Sequence, residues 1–133
     1  MSNETFDYQY VTLRLVPSVL REEFLNVGVV MYSQEGDFLQ GAFHLDEERA
    51  RAFAPGVDTE SVRMSLESLC TLARDGGAPG TPRMDKLGPR FGWISAPRST
   101  ILQPGPIHGG RASDLAATLQ RLLDTLVVPP KAN

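Results

Sequence analysis

At 133 residues, with 41% hydrophobic and 22% charged residues and a net charge of −3, the chain has the composition of one globular domain that can bury a core without metals or disulfides. The acidic balance removes any global pull toward nucleic acid or an anionic membrane. The single cysteine, Cys70, excludes an internal disulfide, and no apolar run approaches the roughly 18 residues of a membrane helix. The polar start Met1-Ser2-Asn3-Glu4-Thr5 is unlike a signal peptide, so the expected location is the cytoplasm and the expected organisation a single domain over 1–133, ordered from about 6 to 128.

Tyr8 to Val16 alternates, with Val11, Leu13 and Leu15 on one face and Tyr10, Thr12 and Arg14 on the other, the pattern of a half-buried strand that Pro17 ends. Phe24 to Tyr32 is nearly continuous apolar sequence rich in valine and reads as a central strand covered on both faces. Gln34-Glu35-Gly36-Asp37 is turn chemistry, and Phe38 to Leu45 alternates again with Leu39, Phe43 and Leu45 inward, completing a hairpin. Asp46 caps a short helix through Phe53, and Asp58 or Thr59 caps a longer one with Val62, Leu66, Leu69, Cys70 and Ala73 on one stripe, stopped by Gly76-Gly77. From 76 to 110 fourteen of thirty-five residues are Gly or Pro, so 76–90 and 104–112 read as loop, with short strands expected at Arg90–Ser95 and Thr100–Gln103. Ser113 caps a last helix whose stripe is Leu115, Leu119, Leu122, Leu123 and Leu126. The expected fold is therefore α+β: an antiparallel sheet of three N-terminal and two short later strands, with two or three helices on one face and the other closed by the long loop or by a partner.

No nucleophile elbow, phosphate-binding loop, dinucleotide fingerprint or paired-histidine metal motif is present. His44 and His108 are the only histidines and neither has a ligand at metal spacing, so no metal or other cofactor is expected. Two boxes carry the remaining polar chemistry. In Arg21-Glu22-Glu23-Phe24-Leu25-Asn26-Val27-Gly28-Val29 the adjacent glutamates point to opposite sides of an extended segment, and Arg21 can pair with one of them. Asn26 lies inside an apolar strand, where its amide must either brace a neighbouring segment or face a ligand cleft. Gly28 signals a bulge or the close approach of another backbone. In the second box, Arg98, Ser99, Thr100, Gln103 and His108 bring a guanidinium, two hydroxyls, an amide and an imidazole into one loop, a set that suits an anion, a partner, or backbone satisfaction. Trp93 and Phe91 read as core aromatics.

Tyr8-x-Tyr10 through Pro17 with Arg21–Val29, and Phe91-x-Trp93 with Ala96-Pro97-Arg98-Ser99-Thr100 and Gln103-Pro104-x-Pro106-x-His108, resemble the two signatures of a small bacterial domain-of-unknown-function family, DUF3037, over roughly residues 8–128. Gly109-Gly110 departs from its pattern, which has a small hydroxyl residue ahead of glycine. The resemblance implies a short single-domain protein with an accessory role beside a HipA-like kinase, whose gene often neighbours those of the family. Two functions are thus expected as alternatives. One is a non-catalytic binding module acting on a protein partner. The other is a small enzyme or nucleotide- or phosphate-binding protein in which Arg21, Glu23, Asn26, Arg98, Ser99, Thr100, Gln103 and His108 converge on one pocket.

Overall fold

The computed structural model describes residues 4–98 and 100–130. Its centre is the first strand, β1 (Phe6–Leu15), which pairs along one edge with β2 (Leu25–Ser33) and along the other with both β4 (Leu102–Pro104) and β5 (His108–Ala112). β3 (Phe38–Phe43) continues the sheet beyond β2, and every pairing is antiparallel. β4 and β5 act as one edge strand broken at Gly105–Ile107, and the Gly105 amide still reaches the Thr12 carbonyl at 2.8 Å. Five strands, three of them N-terminal, with helices packed against them make the fold α+β.

Helices α1 (Glu47–Phe53), α2 (Thr59–Asp75) and α3 (Leu87–Ser95) bury one face of the sheet: Val11, Leu13, Leu15 and Val30 lie against Leu66, Leu72, Phe91 and Ile94. The fourth helix, α4 (Leu115–Leu126), packs on the other face over β2 and β3, where Tyr8, Val29 and Met31 meet Leu115, Leu119, Leu122 and Leu123. This explains the unbroken apolar run of β2: Val29 and Val30 feed different cores. Of the helices expected together on one face, α1 and α2 are there, joined by α3, which lay in a segment expected as strand; α4, rather than a loop or partner, closes part of the other face.

The local punctuation follows the side chains. Asp46 and Asp58 accept the Arg49 and Ser61 amides as N-caps, and the Ser61 hydrogen bonds hold the Asp58 carboxyl below its ordinary range. Gly76, at φ +86°, ends α2 in the left-handed region. α4 is capped by Asp114, which accepts the Ala117 amide, and not by Ser113 as its position suggested.

Two segments differ from expectation. Arg90–Ser95 is helical, not extended, because Leu87, Arg90, Phe91 and Ile94 share one face at helical spacing and Pro89 falls in the first turn, where its missing N–H is no loss. The segment 108–112, expected as loop, is strand β5. Its glycines admit the Tyr8 ring: a Cβ on Gly110 would sit 2.5 Å from the Tyr8 hydroxyl.

Candidate functional site

Between β1 and β2 the register slips: Leu13 faces Gly28 but Arg14 faces Asn26, so Val27 is an extra residue. This bulge separates Asn26 from Gly28, which a regular strand would put on one face. Gly28 turns to the α2 side, where a Cβ would meet the Ala42 carbonyl at 3.1 Å. Asn26 turns to the α4 side. There its Nδ2 donates to the Leu126 carbonyl at 3.1 Å, satisfying a last-turn acceptor of α4, while its Oδ1 is buried with no protein partner. The amide therefore braces a helix end and keeps an open acceptor.

Its cross-strand partner is Arg14, and the partner of Arg14 on the other side is Gln103. Asn26, Arg14 and Gln103 thus form a polar row across β2, β1 and β4 on the sheet face that α4 leaves uncovered. The Arg14 guanidinium lies on the Phe24 ring, 3.8 Å from its centroid. Its other wall is Gly105, where a Cβ would come 2.9 Å from Nε. Nε is buried without a partner, and among the described residues the guanidinium makes no hydrogen bond or ion pair. A notch of about 240 Å³ opens beside it, lined by Val16, Val19, Glu22, Phe24, Gln103 and Pro104. Arg14 was not among the residues singled out from sequence.

Above this row the connection from β1 to β2 makes a single 3-10 turn, Val19–Arg21, and Glu22 follows it at φ +54°. The turn places apolar side chains in solvent: Leu20 is 95% exposed, Val19 63% and Phe24 44%. Arg21 donates from Nε to Glu23, both exposed, so this ion pair adds little stability.

The second box is divided. Arg98 lies on the α2–α3 side, stacked 4.2 Å from the Trp93 ring centroid and donating to the Ile94 and Trp93 carbonyls, which makes it a cap on the end of α3. The Thr100 hydroxyl donates to the Leu102 carbonyl, and Gln103 Nε2 to the Thr100 carbonyl, so both fold the segment onto itself. His108 stacks on Tyr10 with centroids 5.2 Å apart, farther down the sheet. Ser99 lies outside the described residues. The seven described candidates therefore do not converge on one pocket. Asn26 and Gln103 share the Arg14 row, Arg21 and Glu23 sit on the loop above it, Arg98 and Thr100 belong to the opposite side, and His108 stands apart.

Two other features bear on chemistry. Burial pushes the Cys70 thiol up to about 11, so it stays protonated and a poor nucleophile at neutral pH. Among the described residues no three metal-ligating side chains cluster, and no helix is long and apolar enough to cross a membrane.

Comparison with known proteins gives one match. A family model described as a protein of unknown function, DUF3037, covers residues 10–127. No curated protein and no solved structure matches the chain.

Proposed function

This chain belongs to the DUF3037 family, and from that premise we propose that it is a non-catalytic binding module that engages a protein partner through the β1–β2 connection and the polar row beneath it. The observation that supports this is the exposure of Val19 and Leu20 on the turn, and of Phe24 after it, beside an arginine that has no hydrogen-bond or ion-pair partner among the described residues. Large apolar side chains standing in water on a short connection gain burial on docking, which favours association. Aromatic and arginine side chains at the centre of a patch are also the groups that carry most binding energy in protein interfaces. The partner proposed is the HipA-like kinase that the family resemblance implies.

The test is co-expression with that kinase followed by affinity capture, with Leu20→Asp as the control. At 95% exposure Leu20 contributes nothing to the core, so the variant folds like the parent. Capture by the parent and its loss with Leu20→Asp is the expected result. Capture unchanged by Leu20→Asp, or no capture of the kinase by the parent, removes the reading.

A further inference from the structure

We propose that Arg14 is the centre of a recognition site for a single carboxylate carried next to an apolar group, and that the site takes an acidic side chain or a chain terminus of the binding partner; in naming the partner's chemistry this rests on the module reading above. A half-buried guanidinium without a counterion is costly. Its contact with the Phe24 ring leaves Nε buried with no acceptor, and the terminal nitrogens have no protein partner among the described residues. The surroundings are nevertheless built around it. Gly105 leaves the room that Nε occupies, Phe24 supplies the stacking face, and the bulge at Val27 sets Asn26 opposite. Nε itself is taken up by this enclosure, buried against Gly105 with no acceptor. The two terminal nitrogens then remain as a fork for a planar, bidentate acceptor.

The lining selects among anions. Glu22 and Glu23 line the notch with Arg14, and Glu23 is held by Arg21, which leaves Glu22 as a second charge in the site. A phosphate dianion or a nucleotide brings two or more negative charges beside that carboxylate, whereas a single carboxylate brings one, so the lining favours the smaller charge. The volume of about 240 Å³ lies below the roughly 300–1,000 Å³ of drug-sized ligand sites. It admits one side chain or one chain end. Val16, Val19, Phe24 and Pro104 give the apolar part of that group its contact.

The experiment follows the Arg14 Nε–H resonance of the full chain by NMR during titration with small probes. N-acetyl-leucine offers a terminal carboxylate beside an aliphatic group, N-acetyl-glutamic α-amide a side-chain carboxylate, N-acetyl-leucinamide neither, and inorganic phosphate a dianion. A saturable shift with either acid and none with the amide is expected. The stronger of the two acids identifies the source of the carboxylate. Arg14→Lys keeps the charge but not the fork and weakens the binding roughly tenfold or more, the loss of one charge-assisted hydrogen bond. Glu22→Gln removes the competing charge and tightens it several-fold. Equal response to acid and amide, a stronger response to phosphate, or weaker binding in Glu22→Gln overturns the proposal. Because the titration uses the chain alone, saturation without kinase capture refutes the module and keeps the notch. Capture without saturation does the reverse.

Discussion

The sheet has two halves that are finished differently. β2 and β3 are covered on both faces, by α2 and α3 on one side and α4 on the other, and most of their side chains in the overlap are apolar, Ser33 and Gln40 excepted. β1 beyond Tyr8 and its neighbour β4 are covered mainly on one face, and β5 is largely exposed. On the open side they carry Tyr10, Arg14, Gln103 and His108 in place of aliphatic residues. The covered half specifies the fold, and its cost of change is packing. In the open quarter, polar groups stand on rigid strands with unused hydrogen-bonding capacity, which is the arrangement a recognition site needs.

Substitutions separate the two. The largest loss belongs to the filled core: Leu66→Ala, at a fully buried position, lowers the unfolding free energy by about 2–5 kcal/mol in urea titrations. A residue as fully buried as this that cost under 1 kcal/mol would mean the helices are not packed on that face. Next is Arg90, 6% exposed, which donates to the carbonyls of Ala73, Met84 and Asp85 and so ties the end of α2 to the start of α3. Arg90→Met leaves buried carbonyls unpaired and costs about 2–4 kcal/mol, and Arg90→Lys, unable to span three acceptors, recovers only part of it. Asn26→Ala frees the Leu126 carbonyl and costs about 1 kcal/mol, with faster amide exchange confined to the end of α4.

In the open quarter the sign changes. Arg14→Leu alters stability by less than about 1 kcal/mol, or raises it, because the half-buried guanidinium makes no hydrogen bond or ion pair among the described residues and loses only its contact with the Phe24 ring. A loss as large as that of Arg90→Met would make Arg14 structural and erase the distinction. The smallest effect is acid-dependent. Asp58 has a folded pKa below its ordinary value, so its capping contribution is present above the ordinary carboxylate range and fades as pH falls through the folded value. Asp58→Asn flattens that part of the acid-unfolding curve, read by circular dichroism across pH 2–5.

Most of the fold was legible because its signals are local. The alternation of Val11, Leu13 and Leu15, the valine run of β2, and the caps Asp46 and Asp58 each depend on a few neighbouring residues. α3 was obscured because Gly88, Pro89 and Gly92 dilute its helical stripe, while Phe91 and Trp93 imitate a strand two residues apart. β5 was obscured because Gly109-Gly110 has turn chemistry, and only the Tyr8 ring lying over it accounts for glycine in a strand. Arg14 carried the weakest signal of all. In sequence it is one polar residue on the outer face of an alternating strand. Its neighbours Asn26 and Gln103 appear only through a register that includes a bulge, and periodicity contains no information about register between distant segments.

The position of β1 at the centre of the sheet also fixes an order of events. Its pairing with β2 closes over a short connection, but its other edge waits for β4 and β5, and the Arg111 guanidinium reaches the Thr5 hydroxyl across 106 residues of chain. During synthesis the N-terminal hairpin and α2 therefore emerge with one edge of β1 bare and the α4 face of β2 uncovered, a template for pairing with other nascent chains. Non-local closure of this kind is the slower sort of pairing to form. A chain that stops after α3 keeps most of its helical core and aggregates through the strand it was unable to complete.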